Sequence, residues 1–122
     1  MKRTKYFVCP KCGSIIQATE SKEISCCSEI LLPIKPQKAD ENHSLTIREM
    51  DGEFYVECAH EMTKEHYINF FAYVGYDRSL MIKLYPEQDS ATRMPRAYSG
   101  KILYYCNKHG LFEYLLTPKR KI

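Results

Sequence analysis

Residues 45–57 read LTIREMDGEFYVE, and this stretch indicates the fold more clearly than any other part of the chain. Two runs rich in β-branched and aromatic residues flank Asp51-Gly52, a pair typical of a tight hairpin turn. Residues 87–95, in contrast, have the composition of a loop. Further β-compatible runs lie at residues 67–74, 80–84, 101–105 and 111–116. Several short strands separated by turns, without a convincing helix, predict an all-β, immunoglobulin-like antiparallel sandwich.

The segment before this sandwich is too poor in apolar residues to build a core of its own. It contains short β-compatible pieces and two pairs of cysteines, so we expect a metal to stabilise it. Residues 33–38 read PIKPQK and predict a linker, because two prolines hold the backbone extended. The sequence therefore predicts one small metal domain at residues 1–36 and a β-sandwich domain at residues 37–122.

The composition of the chain argues against membrane-spanning and nucleic-acid-binding functions. The longest apolar runs are far too short to span a bilayer, and the basic N-terminus leads into a cysteine knuckle rather than a signal segment. A net charge of +3, with basic residues scattered except at residues 119–121, argues against nucleic acid as a partner. We expect a cytoplasmic protein without a membrane partner, whose six cysteines stay reduced and favour metal over disulfides.

The first candidate metal site combines a Cys-x2-Cys knuckle with two adjacent cysteines. Cys9 and Cys12 can converge on one ion, and Gly13 permits the tight turn that follows. Cys26 and Cys27 complete a set of four thiolates, which suits zinc or a single iron but not a hard cation. Zinc ribbons normally repeat the two-residue spacer, so the adjacent pair is unusual. The alternative is a knuckle beside two unrelated structural thiols.

The second candidate site gathers all four histidines and one cysteine of the strand-rich part, namely His43, His60, His66, Cys106 and His109. Taken singly, each histidine could be an ordinary hydrogen-bonded residue. A sandwich clusters its loops at its ends, however, so distant ligands can meet there. Four imidazoles and a thiolate leave one position open on a metal that prefers six ligands, and this donor set fits iron. A thiolate would push electron density toward whatever binds the open position.

Four motifs follow one another along nearly the whole chain. They are CPKCG at residues 9–13 followed by Cys26-Cys27, ENH at 41–43, HEMTKEHYI at 60–68 and YCNKHGLF at 105–112. In this order they resemble the desulfoferrodoxin family of superoxide reductases. The first looks like the desulforedoxin-like domain of that family. The others are similar to its Glu-Lys-His, His-Pro-Met-x3-His-Tyr-Ile and Tyr-Cys-Asn-x-His-Gly-Leu-Trp motifs.

This resemblance implies a desulforedoxin-like domain with a rubredoxin-like iron, or zinc in its place, and a superoxide reductase-like iron domain. The second iron would be square-pyramidal, with the four histidines in its plane and Cys106 axial. The implied activity is the one-electron reduction of superoxide to hydrogen peroxide, with an outside electron donor such as rubredoxin. Glu41 corresponds to the family glutamate that can occupy the sixth position of ferric iron; on local sequence alone it reads equally well as a solvated acidic residue.

The chain departs from the family pattern at two positions near the second site. Asn42 replaces the lysine that attracts superoxide in the family, which should slow the capture of the anion. Glu61 replaces the proline of the second motif, which removes a backbone constraint and adds negative charge near the site. These changes leave open a related iron protein for electron transfer or peroxide handling, with weakened superoxide activity.

One alternative belongs to a different class of function, namely a zinc-ribbon binding module joined to an inert sandwich. A homodimer would give the small N-terminal domain additional burial. Cys58 matches no motif, and we expect it to be a small buried hydrophobic residue of a strand.

Overall fold

The computed structural model describes residues 4–20, 22–75, 78–95 and 99–116. Its contacts divide the chain into two compact units, Met1–Lys35 and Pro36–Ile122. Apart from one short 3-10 helix at Glu41–His43, the regular structure of these residues is β, as the sequence predicts. No helix among them has the length and apolar character needed to cross a membrane.

The described part of the first unit forms two antiparallel hairpins. Strands β1 (Lys5–Val8) and β2 (Ile15–Ala18) form one hairpin, and β3 (Ile24–Cys26) and β4 (Glu29–Leu31) form the other. Its core cluster consists of the buried residues Phe7, Cys9 and Leu31, with Ile16, Ala18, Ile24 and Cys26 partly buried against them. Two predicted metal ligands are therefore among the few residues that hold this unit together.

In the second unit, the described residues form two sheets. One sheet has the order β10-β7-β6 and the other has the order β5-β12-β11-β8-β9. The strands are β5 (Gln37–Lys38), β6 (Leu45–Met50), β7 (Glu53–Cys58), β8 (Ile68–Val74), β9 (Ser79–Lys83), β10 (Ala91–Pro95), β11 (Gly100–Cys106) and β12 (Gly110–Leu116).

A common core joins these two sheets into a sandwich. Val56 of the three-stranded sheet belongs to the same buried cluster as Phe71 and Tyr104 of the five-stranded sheet. Cys58 lies in this cluster with no exposed surface, as predicted for a small buried residue. Face-to-face packing of two sheets with alternating inward side chains is the sandwich arrangement, so the predicted fold class is confirmed.

The hairpin predicted at Asp51-Gly52 is also confirmed. Met50 pairs with Glu53 across the turn, and the two turn residues have φ angles of 54° and 78°. Positive φ at both central positions is the signature of the type I′ turn, whose twist matches that of the flanking strands.

Two local predictions were wrong. Residues 91–95 were expected to lie in a loop, yet they form β10, which pairs with β7 at the edge of the smaller sheet. The last two residues of the predicted linker, Gln37 and Lys38, form the short strand β5 and pair in parallel with β12. In both cases the pairing partner is distant in sequence, and it overrides a composition that by itself favours a loop. The basic run at residues 119–121 lies outside the described residues.

Candidate metal centres

The knuckle of the first unit is built by backbone hydrogen bonds around Cys9 and Cys12. The Cys9 amide donates to Ser14 O (3.0 Å), and the Gly13 amide donates to Cys9 O (2.9 Å). Gly13 has a φ of 77°, a conformation that costs glycine little and other residues considerably more. The turn thereby brings the side chains of two cysteines three positions apart to one side of the chain.

The adjacent cysteines are brought together by a second tight turn. Cys26 ends β3 and pairs with Glu29, so Cys27 and Ser28 are the two central residues of the hairpin loop. Both have positive φ angles, 54° for Cys27 and 64° for Ser28. This left-handed step places the Cys27 thiol beside that of Cys26, at a sulfur–sulfur distance of 3.9 Å.

The four sulfur atoms of Cys9, Cys12, Cys26 and Cys27 all lie within 4.8 Å of one another. All four cysteines are free thiols, and the distance from Cys12 Sγ to Cys26 Sγ is 3.6 Å. A tetrahedral ion with metal–sulfur bonds of about 2.3 Å would place its ligands about 3.8 Å apart. The spacing therefore fits a single zinc or iron ion.

The thiols of this group differ in acidity. A hydrogen bond with the Ser14 hydroxyl, 3.1 Å from Cys12 Sγ, lowers the pKa of Cys12 to about 6. Hydrogen bonding to the Cys12 sulfur raises the pKa of Cys26 to about 12. Cys12 thus loses its proton more readily than Cys26, and a full set of four thiolates requires a cation to offset the mutual repulsion of the charges.

The second candidate centre is assembled from three segments of the second unit. His43 ends the 3-10 helix, and His60 and His66 lie in the loop between β7 and β8. Cys106 ends β11, and His109 lies in the turn that leads to β12. The ligand atoms of His43, His60, His66 and Cys106 lie within 4.8 Å of one another. His109 borders this group of four, with its Nδ1 3.5 Å from Cys106 Sγ.

The four imidazole rings lie around a common centre, and each ring is next to two of the others. Ring centroids are 5.0 Å apart between His43 and His60, 4.5 Å between His60 and His66, 5.1 Å between His66 and His109, and 5.0 Å between His109 and His43. Cys106 is fully buried, whereas His109 is exposed to solvent. The structure thus brings all five predicted ligands of the second site into one cluster.

Three of these histidines have the same hydrogen-bonding pattern. Their Nδ1 atoms lie within hydrogen-bonding distance of an oxygen: Asp40 Oδ1 for His43 (2.7 Å), Glu61 O for His60 (2.6 Å) and Glu61 Oε2 for His66 (2.9 Å). Their Nε2 atoms are buried and have no hydrogen-bond partner. A buried nitrogen without a hydrogen-bond partner lowers the stability of a fold by about 1–3 kcal/mol. Three such nitrogens beside one thiol therefore fit a bound cation, to which each nitrogen would donate its lone pair.

Burial favours the neutral form that such a ligand requires. It lowers the pKa of His60, because a charged imidazolium is poorly solvated in this environment. His43 is almost fully buried; Phe112 stacks on its ring at 4.3 Å, and the Tyr104 hydroxyl donates to its backbone oxygen at 2.6 Å. These contacts fix the ring before any metal binds.

Asn107 connects two of the ligand-bearing segments. Its Oδ1 accepts from the Tyr67 amide (3.0 Å), and its Nδ2 donates to Glu65 O (3.0 Å). Its own amide donates to Tyr67 O (3.2 Å). Because Glu65 and Tyr67 flank His66, these three bonds set the position of His66 relative to the turn that carries Cys106.

The two remaining predicted site residues, Glu41 and Asn42, are exposed in the 3-10 helix directly before His43. Neither belongs to the group of ligand atoms. The oxygen partners of the histidines, Asp40 and Glu61, were not predicted as site residues. Asp40 could have been found from its position as the N-cap of a short helix that ends in a histidine, where it also accepts from the Asn42 amide at 3.0 Å.

The chain is similar to known proteins in sequence and in fold. A desulfoferrodoxin from Clostridium acetobutylicum is 37% identical over 54 residues, which cover 44% of this chain and 43% of that protein. The match thus spans less than half the length of the curated relative. No family model matches the chain.

Two solved structures share the fold. A superoxide reductase from Treponema pallidum has a TM-score of 0.80 at 19% identity, covering 93% of this chain and 98% of its own. The 1Fe superoxide reductase from Giardia intestinalis has a TM-score of 0.54 at 18% identity, covering 64% of this chain and 99% of its own. Together with the sequence match, these likenesses confirm that the chain resembles the desulfoferrodoxin and superoxide reductase family.

Proposed function

We propose that the protein is a non-haem iron superoxide reductase. The observation that carries this proposal is the cluster of buried, unpaired Nε2 atoms of His43, His60 and His66 beside the Cys106 thiol, bordered by the His109 ring. Iron held by these five residues would supply one electron to superoxide, which with two protons becomes hydrogen peroxide.

The protein's own part in this reaction is to hold the donors in place. The Nδ1 hydrogen bonds select the tautomer that leaves Nε2 free on three histidines. Burial of Cys106 keeps its sulfur away from solvent, which favours a metal–thiolate bond over exchange with water. Exposure of Glu41 and Asn42 beside His43 supports their proposed place at the approach to the site.

We further propose that residues 1–36 form a desulforedoxin-like domain with iron or zinc at its four cysteines. Residues 37–122 would then form the superoxide reductase-like domain. The spacing of the sulfur atoms supports the first assignment, and the division of the contacts into two units supports the boundary. An outside one-electron donor of the rubredoxin type, a cytoplasmic location and a homodimer complete the proposal.

A second candidate function is an iron protein of electron transfer or peroxide handling with weakened superoxide activity. Asn42 favours it, because an exposed neutral side chain stands where the resemblance places a lysine. The two candidates bind the same metal and differ in the rate at which they consume superoxide.

Metal content and the visible spectrum of protein purified without air test the proposal first. We expect iron at both sites, or iron at the histidine site with zinc at the other, and a thiolate-to-ferric band of the second site when superoxide is added. Cys106→Ser should remove that band and strongly reduce turnover. Zinc alone, with no activity after reconstitution with ferrous iron, would instead indicate a zinc-binding module and sink the proposal.

A further inference from the structure

Glu61 contacts two histidines of the second site through different atoms. Its side-chain Oε2 lies 2.9 Å from His66 Nδ1, and its backbone oxygen lies 2.6 Å from His60 Nδ1. A carbonyl oxygen can only accept, so His60 must carry its proton on Nδ1. Glu61 therefore offers a hydrogen-bond acceptor to two imidazoles, its neutral backbone oxygen to His60 and its carboxylate to His66.

Thr63 completes this arrangement. Its hydroxyl accepts from the His66 amide at 3.1 Å, and its single proton can be donated either to Glu61 Oε2 at 3.4 Å or to His66 O at 3.3 Å. The backbone of Thr63 and His66 is also hydrogen-bonded in both directions, at 3.0 and 3.3 Å. The Glu61 carboxylate is thus held against the His66 ring by a closed turn, although Glu61 itself is exposed.

The position of the carboxylate determines what it can do. It lies at the Nδ1 edge of the His66 ring, away from the Nε2 atom that faces Cys106. Its negative charge therefore acts through the imidazole. A carboxylate that accepts from Nδ1–H makes the ring a stronger electron donor at Nε2 and fixes the orientation of the ring. A more basic ligand stabilises a ferric ion over a ferrous one, and it strengthens the binding of divalent ions.

We propose that Glu61 is a positioning residue of the second metal site, which holds His66 in the Nδ1–H tautomer and lowers the reduction potential of the bound metal. The inference rests on the proposed function only in that it assumes a metal at this site. The motif that this loop resembles has proline at the position of Glu61, and proline has no carboxylate. The proposed effect on the reduction potential therefore depends on a residue at which this chain departs from the motif.

Glu61→Ala is the decisive variant, because it removes the carboxylate and keeps the backbone oxygen that serves His60. Glu61→Gln keeps a neutral acceptor for His66 and removes the charge. Glu65→Ala and Glu65→Gln are matched controls, since Glu65 is exposed in the same turn and its backbone oxygen, which binds Asn107, is retained. These controls remove the same negative charge without touching the His66 ring.

Three readouts on the full chain need no turnover. They are the affinity for Co²⁺ followed at the ligand-field bands of the histidine site, the His66 tautomer in ¹⁵N-labelled protein without a metal at that site, and the midpoint potential of the iron-loaded site. We expect Glu61→Ala to weaken Co²⁺ binding about tenfold or more, to lose the Nδ1–H preference and to raise the potential. Glu61→Gln should keep the tautomer and raise the potential by less, and both Glu65 variants should leave all three readouts unchanged.

Equal effects of Glu61→Ala and Glu65→Ala on Co²⁺ affinity and potential would overturn the inference, because the charge would then act without the hydrogen bond. An unchanged His66 tautomer in Glu61→Ala would overturn it as well. If the wild type bound no Co²⁺ at the histidine site, the proposed function would fail together with the inference. If it bound Co²⁺ equally in every variant, the inference alone would fail.

Discussion

At the scale of single residues, the first metal site depends on a backbone conformation that its sequence disfavours. Cys27 and Ser28 both have positive φ angles, although neither is glycine. A residue with a Cβ atom pays roughly 1–2 kcal/mol in this region. The turn brings the two neighbouring thiols within 3.9 Å of each other, and a metal bound to both would stabilise the conformation.

Replacement of Ser28 by glycine should stabilise the first unit. Glycine adopts a φ of 64° readily, so we expect a gain of about 1 kcal/mol in the free energy of unfolding of the zinc-loaded unit. Guanidinium denaturation, followed at the thiolate-to-metal band, measures it. Ser25→Gly, in strand β3, is the control and should destabilise the unit. A loss of stability in Ser28→Gly would show that the positive φ carries no cost here.

Replacement of Asn42 by lysine should accelerate superoxide consumption. Asn42 is exposed directly before the buried His43, and a positive charge there attracts an anion. We expect an increase of up to about tenfold at low ionic strength, which shrinks as salt screens the charge. Initial rates at several salt concentrations measure it, with the neutral Asn42→Gln as control. The same rate in both variants, or no consumption by either, would count against the proposed reductase.

At the scale of secondary-structure elements, the second site is formed by connections between strands. His60 and His66 lie in the loop that leads into β8, and Cys106 and His109 lie at the turn that follows β11. Strands β8 and β11 pair with each other. The pairing shifts register between Tyr105 and Cys106, and this irregularity lies next to the ligand Cys106. Bulges near functional sites commonly redirect a side chain in this way.

Replacement of Asn107 by alanine should loosen the link between these two loops. It removes the hydrogen bonds to the Tyr67 amide and to Glu65 O. Each typical bond contributes about 1 kcal/mol, so we expect a loss of about 1–2 kcal/mol in the stability of the second unit. Thermal unfolding measures the loss, and hydrogen exchange should show faster exchange of the Tyr67 amide. Lys108→Ala, in the same turn, is the control; an equal loss there would assign the effect to the turn in general.

The elements also show how far composition predicts local structure. The hairpin at Asp51-Gly52 was predicted correctly because its turn residues determine the backbone conformation locally. Strand β10 was missed because residues 91–95 contain proline and arginine and lie at a sheet edge, where the hydrophobic pattern is weak. Its pairing with β7 supplies the stabilisation that its own sequence does not indicate.

At the scale of the whole molecule, the two units differ in what holds them together. The core cluster of the first unit includes the predicted ligands Cys9 and Cys26 beside a few apolar side chains. The core of the second unit joins two sheets through large buried residues such as Phe71 and Tyr104. A small core that includes metal ligands depends on its metal for stability, whereas a sandwich core supports itself.

Removal of metal should therefore unfold the first unit and leave the second folded. After treatment with a chelator under reducing conditions, we expect the amides of β1 and β2 to lose protection from hydrogen exchange. Those of β8 and β11 should retain most of theirs. Mass spectrometry of the full chain measures both units in one sample, and added zinc should restore the protection. Equal loss of protection in both units would contradict this difference between the cores.

The sequence by itself determined the chemistry of the donors and the local backbone. The Cys-x2-Cys knuckle, the adjacent cysteines and the Asp-Gly turn specify ligands and turns through residues close in the chain, and side-chain type restricts the metals they can hold. The succession of short β-compatible runs separated by turns predicted the sandwich, since strands and turns are both indicated by residues close in the chain.

Tertiary structure alone decided how the second site is completed. Whether His43 meets His60, His66 and Cys106 depends on the register of strands far apart in sequence. The Glu61 carboxylate reaches His66 only because the loop closes on itself through Thr63. Such contacts join groups whose separation is set by packing rather than by position along the chain, so no local pattern of residues encodes them.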